Sequence, residues 1–181
     1  LFGAAAVRAP GNPRRRCRPD AGTACGAAVA RACPVSEPDA GRIEGKAHHL
    51  PVRVYYEDTD FTGVVYHANY VRYFERGRSD FLRVAGISHT DLLERPDPCA
   101  FAIVHMQIEF RRAARIDDAL TVITTYRTVK GARLLIDQRV ERQGELIASA
   151  AVEAVCITPD GRPRKPPADM VERLKPYFAA P

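Results

Sequence analysis

The sequence has no apolar run that approaches the roughly 20 residues needed to span a bilayer. Its five cysteines include no closely spaced pair with zinc-ligand spacing. Their odd number, without a clear secretory signal, favours reduced thiols in a cytosol. These absences argue against an integral membrane segment, a metal centre and a disulfide framework. Nothing in the sequence requires a metal or a redox cofactor, and we expect a cytoplasmic protein that uses none.

The sequence also has little net charge outside its first 46 residues. That segment holds eight Lys or Arg and four Asp or Glu, which gives +4 of the total net charge of +5. A nucleic-acid-binding domain needs basic side chains clustered on one face. The nearly neutral remainder therefore argues against a nucleic-acid partner, and binding through the basic first segment rests on its arginine content alone.

Residues 1–46 are rich in Ala, Arg, Gly and Pro, contain one aromatic residue, Phe2, and show no sustained helical or strand period. Such a composition buries too little apolar surface to offset the entropy lost on ordering, so we predict a disordered extension. The three arginines at 14–16 are not followed by the apolar stretch of a secretory signal, and Ser36 is the only serine, unlike a mitochondrial transit peptide. We expect an upstream extension, or a start assigned too early, that activity does not need; a functional basic arm is the alternative.

A strand, a turn and a long helix are predicted in that order after this extension. Residues 50–56 alternate apolar and polar side chains as a half-buried strand does. Residues 57–66 form a turn in which Gly63 is the flexible point. Residues 68–85 place apolar side chains at helical spacings of three and four, and Gly86 is a natural stop. A strand that ends at the mouth of a helix delivers polar side chains to free N–H groups and partial positive charge.

Strand patterns dominate the rest of the chain, at 102–110, 119–129, 133–141 and 146–158, and a short helix is predicted over 168–178. This order predicts an α+β fold with an antiparallel sheet. One helix can cover one face of such a sheet. The other face needs a partner, so we expect a homodimer or a homotetramer.

A family resemblance rests on three stretches, at residues 52–60 (VRVYYEDTD), 63–68 (GVVYHA) and 73–76 (YFER). They resemble the hot-dog-fold acyl-CoA thioesterases of the 4-hydroxybenzoyl-CoA thioesterase type, most of all the subgroup associated with the Tol-Pal system. The likeness covers about residues 50–168 and is most specific in these stretches. It implies a thioesterase domain over residues 47–181, with a long central helix wrapped by a five-stranded antiparallel sheet, and an acyl-CoA substrate.

The resemblance also implies the site residues. The family's catalytic acid is the second Asp of its Asp-x-Asp motif, which is Asp60 in this chain, and the subgroup's histidine falls on His67. The backbone N–H at position 67, at the helix start, corresponds to the family's carbonyl-polarising donor. Phe61 and Thr62 stand where the subgroup commonly has small residues, which leaves the preferred acyl chain open.

These residue types fit thioester hydrolysis. Helix amides near His67 and Ala68 would polarise the carbonyl. Asp60 would act as general base or as nucleophile, and His67 would orient Asp60 or the water or supply a proton. Taken without the resemblance, an Asp in a turn before a helix is most simply a cap or turn former. Glu75, on the helix, is most simply part of an ion pair or a subunit contact.

We expect two groups of residues to bind the substrate. The loop and the helix start would line the substrate site, and basic side chains near strand ends would meet the phosphates of coenzyme A, although each is most simply a solvated surface charge. The first group comprises Gly63, Val65, Tyr66 and Ala68. The second comprises Lys130 and Arg133, with Arg111, Arg112 and Arg115 as further candidates.

Two other functions stay open on the sequence. A hydratase or dehydratase of the same fold would use an Asp/His pair on a thioester without cleaving it. A non-enzymatic adaptor at the envelope is suggested only by the Tol-Pal association of similar proteins, which also makes a peripheral location at the inner membrane an alternative to the cytoplasm. The acyl group is not specified, because several elements together shape the pocket that selects it.

Overall fold

One antiparallel sheet and one long helix form the framework of residues 38–179, which this computed structural model describes. The strands are β1 (Arg42–Glu44), β2 (Ala47–Arg53), β3 (Ala100–Phe110), β4 (Ala119–Lys130), β5 (Arg133–Arg142) and β6 (Glu145–Ile157). The helices are α1 (His67–Val84), α2 (His89–Glu94) and α3 (Ala168–Leu174), with 3₁₀ turns at Tyr56–Asp58 and Lys175–Tyr177. The strand order is β1-β2-β4-β5-β6-β3, so the long strand β3 lies at one edge of the sheet.

Helix α1 packs on the sheet through an apolar face that includes the fully buried rings of Tyr73 and Phe74. At Gly77 its backbone approaches the sheet so closely that a Cβ atom would lie 2.7 Å from Oγ1 of Thr124 and 2.9 Å from Cγ1 of Val122. A glycine in mid-helix costs roughly 1 kcal/mol relative to alanine. The close approach of backbone to sheet explains why this position has no side chain.

A buried polar network joins the middle of α1 to strands β4 and β5. The side-chain amide of Gln138 donates to the carbonyl of Phe74 (2.8 Å) and to Oγ1 of Thr124 (2.9 Å). Its side-chain oxygen accepts from Arg78 (2.7 Å), and Arg78 also pairs with Glu75 (2.5 Å). Glu75 therefore belongs to an ion pair, which is the simpler of the roles considered from the sequence.

The predicted α+β class with an antiparallel sheet is confirmed, and α1 and β3 to β6 lie close to their predicted bounds. The strand predicted at 50–56 runs instead over Ala47–Arg53. Its predicted end is absent because the chain enters a 3₁₀ turn, where the Asp58 carboxylate accepts the N–H of Tyr55 at 2.8 Å. Apolar alternation continues past the point at which the backbone turns.

The sheet has six strands rather than the five that the family resemblance implies. The additional strand, β1, pairs with β2 through a hairpin in which Gly45 has φ +61°. It lies inside the segment 1–46, for which the composition predicts disorder, so the ordered region begins before the predicted boundary. Three residues with one apolar side chain, Ile43, give almost no period to detect. Residues 1–37 lie outside the described part of the chain, and their disorder stays a prediction.

The face of the sheet that points away from α1 is charged rather than apolar. Its ion pairs are Arg127–Asp137, Arg133–Glu153 and Arg139–Glu141. Charged side chains can be solvated, so this face of a single chain does not by itself require a partner, and the predicted oligomer stays a prediction. Large exposed apolar side chains occur instead along the edge strand β3, at Ile103, Val104 and Phe110.

Candidate active site

The loop from residue 54 to residue 66 connects β2 to α1 and is fixed to the body of the protein at both ends. At its beginning, the N–H of Val54 donates to the carbonyl of Asp118 (3.0 Å). Towards its end, the carbonyl of the buried Asp58 accepts the N–H of Tyr66 (2.9 Å) and the side-chain amide of the buried Asn69 (2.8 Å). The Asp58 carbonyl therefore clamps the loop onto the first turn of α1.

Asp60 occupies a tight turn within this loop. Its carbonyl accepts the N–H of Gly63 (2.9 Å), whose φ of +76° favours glycine, and its N–H donates to the carbonyl of Val64 (3.0 Å). Oδ1 of its carboxylate accepts two bonds from Thr62, one from the hydroxyl (2.5 Å) and one from the backbone N–H (2.8 Å). These two bonds hold the pKa of the Asp60 carboxyl below its ordinary value. Asp60 is therefore ionised at neutral pH.

The start of α1 offers two backbone donors. Tyr66 is the N-cap residue but makes no side-chain capping bond, and its carbonyl accepts the N–H of Asn69 (2.9 Å). The amides of His67 and Ala68 make no hydrogen bond with any residue between 38 and 179. Unpaired N–H groups and the helix dipole give this end of an 18-residue helix a partial positive charge. The helix start is thus suited to stabilise a developing oxyanion.

A cleft of about 330 Å³ lies beside the helix start. Its apolar wall is made by Tyr70 and Phe110, whose rings meet edge to face with centroids 5.4 Å apart. The hydroxyl of Tyr70 accepts the N–H of Ala114 (3.3 Å), which fixes the ring, and burial raises the pKa of this tyrosine. Tyr70 is therefore a wall of the cleft rather than an acid or base at neutral pH.

Basic side chains form one side of the same cleft. Arg111 and Arg112 line it, and each also pairs with a carboxylate, Glu109 for the first and Glu145 (2.6 Å) for the second. Both arginines are exposed, and such surface pairs are weak enough to be exchanged for a bound anion. The cleft therefore combines an apolar wall with a cationic side.

The structure brings some of the predicted site residues to this cleft and not others, and Asp60 is not among the residues that line it. Val65 and His67 line it, whereas Tyr66 and Ala68 are exposed neighbours at the helix start. Gly63 closes the turn that holds Asp60. Among the described residues, the carboxylate of Asp60 bonds only to Thr62 and makes no direct contact with His67. Asp60 therefore lies in the loop and His67 at the start of the helix that follows, and their side chains do not form a hydrogen bond.

The basic residues Lys130 and Arg133 lie at the other end of the molecule from the helix start. They are paired at the hairpin between β4 and β5, whereas the end of β4 nearest the helix start pairs Ala119 with Arg53. Helix α1 has 18 residues and so spans about 27 Å between these ends. Within one chain, Lys130 and Arg133 do not join Asp60 and His67.

Two residues at the site were not assigned a role from the sequence. Asn69 holds the Asp58 carbonyl, and Thr62, noted only as a departure from the subgroup pattern, holds the Asp60 carboxylate. An Asp followed two positions later by Thr is a common local hydrogen-bonding arrangement, so Thr62 had a detectable signal. Asn69 had none, because its partner lies eleven residues earlier.

Two further observations concern residues 38–179 as a whole. No cluster of His, Cys, Asp and Glu in this range is arranged to hold a metal ion. Within the same range, no helix has the length and apolar character required to cross a membrane.

Comparisons with known proteins identify the family of the chain. Residues 54–174 match the Thioesterase-like superfamily. The chain is 44% identical over 108 residues to the acyl-CoA thioesterase YbgC of Haemophilus influenzae, a match that covers 60% of this chain and 79% of that protein. It is 40% identical over 127 residues to the acyl-CoA thioester hydrolase YbgC of Escherichia coli O157:H7, covering 69% and 93%.

A solved structure gives the same result for the fold. The crystal structure of a probable thioesterase from Bartonella henselae is 41% identical and matches with a TM-score of 0.65 over 67% of this chain and 99% of that chain. The family resemblance of the sequence is therefore confirmed. This chain belongs to the Thioesterase-like superfamily and is a thioester hydrolase with the hot-dog fold.

Proposed function

We propose that this protein hydrolyses acyl-CoA thioesters to a free acid and coenzyme A at the start of α1. The observation that carries the proposal is that one helix start and the loop entering it supply both kinds of group: the amides of His67 and Ala68, which have no hydrogen-bond partner within residues 38–179, and the ionised carboxylate of Asp60. The names of relatives that match over most of their length support this substrate class.

The reaction needs a polarised carbonyl, an attacking oxygen and a leaving thiolate. The amides of His67 and Ala68 bind the carbonyl oxygen and stabilise its negative charge in the tetrahedral intermediate. In the general-base route, Asp60 takes a proton from water as the water oxygen attacks the carbonyl carbon, and collapse of the intermediate expels the thiolate. In the nucleophilic route, an oxygen of Asp60 attacks, the thiolate leaves, and water hydrolyses the resulting anhydride.

We propose that His67 and the surrounding cleft position the substrate. His67 lines the cleft, where it orients the attacking water or donates a proton, and Val65 forms part of the floor. Arg111 and Arg112 lie on the same cleft and are suited to the phosphates of coenzyme A. Lys130 and Arg133 contribute to this binding only from a second copy of the chain, because the length of α1 separates them from the helix start of their own chain.

We also propose that the protein acts as a homodimer, or as a tetramer built from such dimers. Strand β3 is an edge strand of 11 residues, and its exposed apolar side chains include Val104 at 55% and Phe110 at 51%. A long apolar edge of this kind is ordinarily paired or covered. A second copy over this edge would enclose the cleft at Phe110. The odd number of cysteines without a clear secretory signal supports a cytoplasmic location. The subgroup resemblance supports a Tol-Pal association and, as the alternative location, peripheral contact with the inner membrane.

Replacement of the carboxylate tests the proposal. Asp60→Asn removes the base or nucleophile while keeping its size, and we expect thiol release from acyl-CoA to fall at least about 100-fold. The assay follows free thiol over a panel of short-chain, long-chain and aromatic acyl-CoAs. Thiol release separates hydrolysis from hydration or dehydration of the acyl chain, which leaves the thioester intact.

A matched control is available at the opposite end of the sheet. Asp160 also lies in an exposed turn, and its carboxylate also accepts a bond from a threonine hydroxyl, that of Thr158. Asp160→Asn should therefore leave thiol release unchanged. Activity retained in Asp60→Asn at the wild-type level would refute the assignment of Asp60.

A further inference from the structure

The two oxygens of the Asp60 carboxylate have different surroundings. Oδ1 accepts both the hydroxyl of Thr62 (2.5 Å) and its backbone N–H (2.8 Å). Oδ2 accepts no hydrogen bond and joins no ion pair with any residue in the range 38–179. One oxygen is therefore occupied, and the other is available to a substrate or a water molecule.

We propose that Thr62 is a positioning residue for hydrolysis: it holds Oδ1 of Asp60 so that Oδ2 is presented as the reacting oxygen. The inference rests on the proposed function of Asp60 and extends it. Either route needs one oxygen in a defined place, since general-base catalysis and nucleophilic attack both depend on the position of the reacting atom, and a misplacement of about 1 Å can cost roughly 100-fold in rate.

The turn makes Thr62 a rigid support for the carboxylate. The backbone of the turn is fixed by the bond from the N–H of Gly63 to the carbonyl of Asp60 and by the bond from the N–H of Asp60 to the carbonyl of Val64. The β-branched side chain of Thr62 has few accessible χ1 rotamers. Holding its hydroxyl against Oδ1 therefore costs little additional side-chain entropy.

The hydroxyl also favours the reactive protonation state. Its bond is the largest cause that lowers the pKa of Asp60, and the backbone bond is the second. Removing the hydroxyl leaves the backbone bond, so the pKa of Asp60 should rise towards its ordinary value without reaching it. Hydrolysis requires the ionised carboxylate. The acid side of the pH–rate profile should therefore move to higher pH when the hydroxyl is lost.

Three variants test the inference, with the acyl-CoA that the wild type hydrolyses fastest. Thr62→Val removes the hydroxyl and keeps the β-branch; we expect kcat to fall about 3- to 10-fold, KM to change by less than about twofold, and the acid limb of kcat/KM to shift to higher pH. Thr62→Ser keeps a hydroxyl and should restore both kcat and the position of the acid limb to their wild-type values. Phe61→Ala alters the same turn without removing a bond to Asp60, and its acid limb should coincide with that of the wild type.

The outcomes separate this inference from the proposed function. If Asp60→Asn is inactive but Thr62→Val keeps the wild-type kcat and acid limb, the role of Thr62 is refuted and that of Asp60 stands. The role of Thr62 is also refuted if Thr62→Val loses activity while the acid limb of its kcat/KM profile stays in place, since the residue is then only structural. Failure of Thr62→Ser to restore the activity would refute the role in the same way. If Asp60→Asn keeps the wild-type activity, the assignment of Asp60 is refuted and the role of Thr62 fails with it; if the wild type releases no thiol from any acyl-CoA, the proposed function itself fails.

Discussion

Asp58 and Asp60 are two residues apart and have opposite surroundings. Asp58 is 6% exposed, and its backbone carbonyl binds both Tyr66 and Asn69. Asp60 lies in the turn beyond it, and one oxygen of its carboxylate has no hydrogen-bond partner among residues 38–179. The first aspartate therefore holds the loop together, and the second is the one whose carboxylate is accessible for the proposed reaction.

Buried His48 gives the protein a stability that depends on pH. Its Nε2–H donates to the carbonyl of Ala40 (2.7 Å), Nδ1 has no hydrogen-bond partner within residues 38–179, and the ring of Phe81 lies 5.9 Å away. Burial, the largest cause, lowers the pKa of His48 below its ordinary value. The unfolded chain therefore binds a proton at a higher pH than the folded protein does.

The sign of the effect follows from this difference. Stability from neutral His48 is present above the unfolded pKa of about 6.5 and is lost as pH falls below it, by at most about 1.4 kcal/mol per pH unit. We expect the free energy of unfolding, measured by urea titration, to fall between pH 7.5 and 5.5 in the wild type and to fall less in His48→Gln. Leu50→Ala, on the same strand, removes no titrating group and should keep the wild-type slope. An unchanged slope in His48→Gln would contradict the prediction.

At the scale of single residues, the sequence suggested candidate catalytic residues but not the residues that hold them in place. Asp60 and His67 were predicted through a local motif that resembles a family, and their catalytic roles stay predictions. Asn69 acts through a carbonyl eleven residues away, and His48 through Ala40 on the far side of a hairpin. Such contacts depend on the path of the backbone, which residue types and spacing do not determine.

At the scale of elements, the contact between α1 and the sheet leaves no room for a side chain at Gly77. Gly77→Ala would improve helix propensity by roughly 1 kcal/mol. It would also place a methyl group 2.7 Å from Oγ1 of Thr124, which the helix must move to relieve. Overpacking of this kind typically costs about 1–3 kcal/mol.

We expect the clash to outweigh the gain in propensity. Gly77→Ala should lower the free energy of unfolding by about 1–2 kcal/mol, measured by chemical denaturation. Arg72→Ala, on the exposed side of the same helix, should stay within about 0.5 kcal/mol of the wild type. A Gly77→Ala protein more stable than the wild type would show that the contact yields easily.

Long elements were predictable and short ones were not. Helix α1 and strands β3 to β6 each repeat their period several times, so their bounds could be predicted closely from the sequence. Strand β1 has three residues and α2 has six, which is less than two turns. The start signal of α2, Ser88 accepting the N–H of Asp91, lies between the predicted helix 68–85 and the predicted strand 102–110, where no element was predicted.

At the scale of the whole molecule, the distribution of exposed apolar surface predicts how copies associate. Val104 lies at a bulge of the edge strand β3, between two registers of its pairing with β6. Its side chain is 55% exposed. A charge at this position would disturb a second copy over the edge without breaking the pairing of β3 within its own chain.

We expect Val104→Lys to shift the protein towards the monomer, measured as molar mass by light scattering after size exclusion. Leu93→Lys introduces the same charge at a comparably exposed residue, 56%, on α2 and should leave the mass unchanged. A wild-type protein that is already monomeric, or a Val104→Lys protein of unchanged mass, would exclude β3 as the contact between two copies of the chain.

The tip of the loop carries Phe61, whose side chain is fully exposed next to Asp60 in the sequence. Backbone hydrogen bonds and the bonds from Thr62 to Asp60 hold the turn, so we expect the protein to fold with another side chain in place of Phe61. Cys99 and Cys156 are both buried. In a chain shortened to begin at residue 38, Phe61→Cys would thus provide a uniquely reactive thiol, and a fluorophore attached there would report substrate arrival in real time.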